Sequence, residues 1–227
     1  MIKLKLKHRT YKIPERFTIK QWDQIVRLDM EDPKSYQIIM AVALDQKVAK
    51  FHGVDEDSLI LGASLILNEM RKRKKVEAKD FTQITIGEFI DLDIWLVKGT
   101  EKHLEDILGI LQKEPIKYID EALWLVDQYS NFRLSTYRSY AGLFGINDKG
   151  EQEDIDPEEW DPNKIAKGWY KVLVDLADND ILRLDPITEQ PLYKALTFMS
   201  LRKERLLEEQ QRQLKQKRKN ELSRNRK

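Results

Sequence analysis

The period of the apolar positions changes once, early in the chain. Ile2, Leu4 and Leu6 alternate with Lys3, Lys5 and Lys7, and a second short run, Thr10-Tyr11-Lys12-Ile13, stops at Pro14. Alternation at a period of two is the signature of a strand, so residues 1–15 predict an N-terminal β-hairpin with lysines on its outer face. From Thr18 the apolar residues recur at steps of three and four, through Ile19, Trp22, Ile25, Val26 and Leu28. Gln21 stands three residues after Thr18, the spacing at which a threonine hydroxyl and a glutamine carboxamide cap a helix start reciprocally. Asp32 before Pro33 opens a second helix carrying Tyr36, Ile39, Met40, Val42, Ala43 and Leu44. Asp55 opens a third, through Leu59, Ile60, Ala63, Ile66, Leu67 and Met70, and the basic run Arg71 to Lys75 at its end complements the helix dipole.

The same periodicity predicts helices over Thr85 to Val97, Thr100 to Gln112, Pro115 to Tyr129, Asn131 to Phe144 and Pro162 to Asp178. Between Gln190 and Ser223 no Gly or Pro follows Pro191, and Leu, Glu, Gln, Lys and Arg dominate. This predicts one long helix of roughly 50 Å at about 1.5 Å per residue. Past Leu206 and Leu207 only Leu214 and Leu222 are apolar, so its last turns have little to bury against their own domain.

Two segments repeat one another. Thr18-Ile19-Lys20-Gln21-Trp22 and Thr85-Ile86-Gly87-Glu88-Phe89 share Thr-Ile-x-(Gln/Glu)-aromatic at an offset of 67 residues, and each aromatic is followed 22 residues later by the end of a second apolar run, at Leu44 and Leu111. Each copy reads as a capped helix, a turn and an antiparallel partner helix, with Thr18 and Thr85 as caps and Trp22 and Phe89 as inward anchors. The fold class expected is therefore mainly α: a helical domain over 16–144 with two similar helix pairs, preceded by the hairpin and followed by an acidic loop (145–163), a helical segment (164–201) and a basic helical arm (202–227).

Charge sharpens this division. The 227 residues carry 40 basic and 39 acidic side chains, a net charge of +1. The balance conceals eleven basic against four acidic residues after Leu201, and eight carboxylates against one lysine between Gly145 and Asn163. At 41% hydrophobic and 35% charged, the chain can build a core and is not disordered throughout. Its N-terminus lacks a signal-peptide apolar region and it has no apolar run long enough to span a bilayer, so neither export nor membrane insertion is expected. The absence of cysteine removes thiolate catalysis, disulfides, thiolate zinc sites and iron–sulfur clusters.

Catalytic patterns are scarce. His8, His52 and His103 fall on separate elements without HxxxH spacing, which argues against a histidine metal site. Asp154-x-Asp156-x-Glu158 begins like a calcium loop, but Glu159 replaces the required Gly and Pro157 interrupts it. No glycine lies in a phosphate-binding motif, Ser64 lacks a nucleophile elbow, and pairs such as Asp91/Asp93 and Asp178/Asp180 have no accompanying His or ligand set. Neither an enzyme nor a cofactor is expected. The residues that stand out for binding are the arm cations Arg202, Arg205, Arg212, Lys215, Lys217, Arg218 and Lys219, suited to an acidic protein surface.

The stretch Asp80-Phe81-Thr82-Gln83-Ile84-Thr85-Ile86-Gly87-Glu88-Phe89-Ile90-Asp91-Leu92, followed by His103-Leu104-Glu105-Asp106-Ile107-Leu108-Gly109-Ile110-Leu111, resembles tail and baseplate-hub assembly proteins of tailed bacteriophages. The upstream Ile13-Pro14-Glu15-Arg16-Phe17-Thr18-Ile19-Lys20-Gln21-Trp22 fits the opening of those proteins, a strand leading into a Trp-bearing helix. The resemblance covers residues 10 to 145. It implies a non-enzymatic protein of virion assembly in the host bacterial cytoplasm, retained or not in the virion tail. Such a protein acts as a tail assembly chaperone on the tape-measure protein or as a baseplate-hub component, with tail or baseplate proteins or further copies of itself as partners. The chain departs from the smallest tail chaperones in its acidic loop, the helical segment from Pro162 and the basic arm. The alternative is a nucleic-acid-associated adaptor that places the arm on phosphates. The lack of any aromatic residue after Phe198 weighs against it, since no stacking platform accompanies the cations.

Overall fold

The computed structural model describes residues 2–6, 8–144 and 161–224, and the fold is mainly α with a two-stranded N-terminal hairpin. Strands β1 (Lys3–Leu6) and β2 (Arg9–Lys12) pair antiparallel, Leu4 opposite Tyr11 and Leu6 opposite Arg9. The helices are α1 (Ile19–Val26), α2 (Pro33–Ala43), α3 (Glu56–Met70), α4 (Ile86–Leu111), α5 (Ile119–Ser139), α6 (Ala141–Phe144), α7 (Pro162–Leu176), α8 (Leu184–Thr188) and α9 (Leu192–Arg224). The chain divides into two compact units, Met1–Lys79 with Gly99–Ser130, and Asp80–Lys98 with Asn131–Lys227. Of the acidic loop, residues 145–160 and the calcium-like Asp154-x-Asp156-x-Glu158 lie outside the described residues, as do the last three residues of the arm.

In the first unit the alternation at the N-terminus does what the period of two requires. Leu4 and Leu6 are buried while Lys3 and Lys5 face out. Gly62 on α3 leaves room for Leu4 and Met40: a Cβ there would stand 2.8 Å from Met40 Sδ and 2.9 Å from a Leu4 methyl, so any side chain would force those two side chains to shift. Asp32 and Asp55 cap α2 and α3 by accepting from the Lys34 and Ser58 amides. Thr18 caps α1 in full, its Oγ1 accepting from Gln21 N while Gln21 Oε1 accepts from Thr18 N at 2.9 Å. The starts of α1 and α5 are joined by Ile19 N to Lys117 O and Ile119 N to Phe17 O. Arg16 reinforces that joint with a bidentate 2.9 Å pair to Asp120, a contact to Glu121 and a position 3.8 Å over the Tyr118 ring. Its guanidinium is held still more firmly in the charged form, chiefly by the Asp120 hydrogen bonds.

In the second unit Thr85 caps α4 as Thr18 caps α1, accepting from Glu88 N at 3.1 Å while Glu88 accepts from Thr85 N at 2.8 Å. The two repeated segments share these caps and differ beyond them. Phe89 is fully buried, whereas Trp22 is only half-buried and its indole N–H is enclosed without an acceptor among the described residues. The expected equivalence of the two anchors is therefore corrected. The partner of α1 is the separate helix α2, but the run to Leu111 continues α4 across a break at Gly99, whose φ of 113° is open to glycine and strained for other residues. That break is also a boundary between the compact units, so the predicted 16–144 domain is shared between them.

The core of the second unit is built around a buried carboxylate. Asp93, 2% exposed, accepts from Arg133 Nε and Tyr137 Oη of α5 through one oxygen, and from Trp169 Nε1 of α7 at 2.8 Å through the other. Phe89, one helical turn earlier, meets the rings of Tyr137 and Trp169 edge-on at 5.9 and 6.0 Å. Burial, and then the neighbouring Asp93 carboxylate, push the Tyr137 phenol far above its ordinary range, so it remains a donor.

Removing the buried Asp93 carboxylate takes the shared acceptor from Arg133, Tyr137 and Trp169 at once, so Asp93→Ala should cost about 3–5 kcal/mol in urea unfolding. Phe89→Ala should cost a similar 3–5 kcal/mol or so, and Trp22→Ala clearly less. Thr18→Ala and Thr85→Ala should each lower stability by about 1 kcal/mol in the same assay.

Candidate functional site

The long helix α9 is rooted by the backbone. Leu192 N donates to Ile84 O at 3.0 Å and Ile86 N to Gln190 O at 2.9 Å, which clamps the residues before α9 to the residues before α4. Leu192, Ala195 and Leu196 are buried. Tyr140 Oη lies 3.0 Å from Thr197 Oγ1, and the Tyr140 and Tyr193 rings stack at 6.3 Å. Gly87 allows α8 to approach the start of α4, since a Cβ there would lie 3.0 Å from the Thr188 backbone oxygen.

The packing ends at two cations that the sequence assigned to partner binding or to the arm. Arg202 donates to Asp175 O at the C-terminal end of α7 and lies 3.1 Å from Asp178, while Lys203 donates to Gly142 O within the short α6. Both satisfy backbone carbonyls at or near helix ends, the place where a cation also complements the dipole. Arg202 is therefore part of the fold's own fastening, with its side chain still 39% exposed. Every side chain from Lys203 to Lys219 is exposed, including Arg205, Arg212, Lys215, Lys217, Arg218 and Lys219. Arg212 pairs with Glu208 one turn earlier at 3.5 Å.

The exposed stretch has two unlike faces. Arg205, Arg212 and Lys219 recur every seven residues with Lys215 between them, a basic stripe along one side. Leu206, Leu207 and Leu214 lie on the opposite side, 52, 48 and 58% exposed. Elsewhere in this unit Tyr170, Ile181, Leu182, Phe198 and Leu201 are also exposed.

Of the anchors, Thr18 and Trp22 lie in one compact unit and Thr85 and Phe89 in the other. His103 lies 3.3 Å from Asp106 one turn on. Among the described residues no group of three or more His, Asp or Glu could hold a metal ion, and no helix is long and apolar enough to cross a membrane. Two cavities of the first unit, about 330 Å³ beside Glu69 and Lys72 and about 150 Å³ beside Trp22 and Arg27, hold no nucleophile–base pair. The group that sequence reasoning missed is the Asp93 cluster. Its signal is that Asp93 follows Ile86, Phe89 and Ile90 at helical spacing, and a carboxylate on an apolar stripe is one that donors must surround.

What these features define is a helical protein with a long, exposed, two-faced helix anchored at one end. No protein-family model, curated protein or solved structure matches the chain.

At low protein concentration, amide hydrogen exchange should show protection through Leu196 and the Arg202 fastening and fast exchange beyond about Leu206, because an unpacked helix segment is marginal in water. Arg202→Ala should move the boundary of protection toward Leu196.

Proposed function

We propose that this chain is a non-enzymatic protein of phage tail assembly, acting through protein–protein contacts as a tail assembly chaperone or a baseplate-hub component. The observation that carries the reading is α9, whose residues 203–219 are exposed on all sides and present a basic stripe together with three leucines. A helix that a domain holds rigidly at its root and leaves uncovered for more than four turns is suited to seating a partner. The stripe of Arg205, Arg212, Lys215 and Lys219 selects an acidic surface on that partner. The resemblance of residues 80–92 and 103–111 to tail and baseplate-hub proteins supplies the biological context, with the tape-measure protein or a baseplate protein as the partner and the host bacterial cytoplasm as the place.

The same cations support a second reading, a nucleic-acid-associated adaptor that neutralises phosphates. Reversing Arg205, Arg212, Lys215 and Lys219 to Glu should abolish recovery of a tail or baseplate protein with the chain from infected cells. The loss should be tenfold or more, since exposed ionic contacts contribute about 0.2–1 kcal/mol each. Recovery of nuclease-sensitive DNA or RNA instead, with a steep salt dependence that is lost in a chain ending at Ser200, would support the adaptor. Unchanged recovery of the tail protein by the reversed variant would overturn the role of the stripe.

A further inference from the structure

We infer that α9 pairs with α9 of a second copy of this chain, antiparallel, along the leucine face opposite the basic stripe. The face is the continuation of one already buried. Leu192, Ala195 and Leu196 line the side of α9 packed in its own unit. Leu214 lies about five turns of roughly 3.6 residues beyond Leu196, and Leu206 about four turns beyond Leu192. The apolar stripe thus outlasts the unit that covers its root, and three leucines about half exposed remain on it.

Charge decides what covers them. Glu204 and Arg218 border this face on the same side, two heptads apart. When two arms run antiparallel with Leu207 facing Leu214 of the other copy, Glu204 of each arm meets Lys217 and Arg218 of its partner. Parallel pairing instead brings Glu204 of one arm against Glu209 of the other, a like-charge contact at the position where coiled coils select their orientation. Gln210 and Gln213 occupy the seam between the leucines and hydrogen-bond across it. With only three leucines per arm the association is weak and sensitive to salt, and it leaves Arg205, Arg212, Lys215 and Lys219 facing outward.

The chain contains no cysteine, so single cysteines report the pairing without interference. Gln210 sits next to the two-fold axis of the antiparallel arrangement and Lys217 lies well away from it. Under mild oxidation Gln210→Cys should form a disulfide-linked dimer and Lys217→Cys should not. Sedimentation of the unmodified full chain should show a dimer at about 100 µM protein that weakens about tenfold or more when salt rises from about 0.05 to 0.5 M. Leu207→Glu with Leu214→Glu should make the chain monomeric, with circular dichroism reporting whether its helices persist. Cross-linking of both single-cysteine variants would mean parallel pairing, and a monomer at every concentration would mean no pairing. Either result overturns the inference. This test reads self-association alone, so its failure is separate from any failure to recover a tail protein.

Discussion

A carboxylate surrounded on three sides organises the unit that carries α9. Burying Asp93 alone would cost several kcal/mol, and the cost is offset only when donors reach it from two other helices at once. Arg133 and Tyr137 stand one turn apart on α5, and Trp169 comes from α7, so the requirement fixes how α4, α5 and α7 meet. The same requirement brings Phe89 between Tyr137 and Trp169, and Phe144 closes the set at 4.4 Å from the Tyr137 ring. A purely apolar core of this size would tolerate several helix rotations. The directional demands of one acceptor group admit far fewer, which is a specificity argument more than a stability one.

That framework reaches α9 through short local links. The start of α4 is clamped to the residues before Leu192, the end of α5 supplies Tyr140 against Thr197 and Tyr193, and the end of α7 supplies Asp175 and Asp178 to Arg202. Each element touched by the Asp93 cluster therefore also holds a point on the root of the long helix. Local order at the root and exposure beyond it are two consequences of where these contacts stop.

What the sequence made legible is what neighbouring residues decide. The caps Thr18, Asp32, Asp55 and Thr85 act on amides two or three positions away, and the lysine-lined hairpin and the long α9 follow from composition and period. The interruption near Gly99 was legible too, because helix signals end at Val97 and resume at Thr100. The Asp93 cluster was not, since its partners lie 40, 44 and 76 residues away and an acidic pair looks alike whether solvated or enclosed. For the same reason repetition of Thr-Ile-x-(Gln/Glu)-aromatic gave the caps correctly and the anchors unequally. A cap is satisfied within one turn, while the burial of Trp22 or Phe89 depends on what the rest of the chain brings to it. The contacts of Arg202 within its own unit were equally hidden, because Asp175 and Asp178 are distant in sequence and adjacent in the fold.

Beyond Lys203 the side chains through Lys219 are exposed among the described residues, and sequence again decides what the surface can do. On a helix two properties can coexist without competing if they sit on opposite sides, and α9 separates its leucines from its heptad-spaced cations in that way. On the proposed reading, self-pairing through one side would remove apolar surface from water and leave a basic stripe on each of the two outer sides. Capture of an acidic tail protein would then use the side of the helix that pairing leaves open. An arm with few leucines would pair reversibly, and partners that bind the pair better than the single arm would stabilise it by mass action.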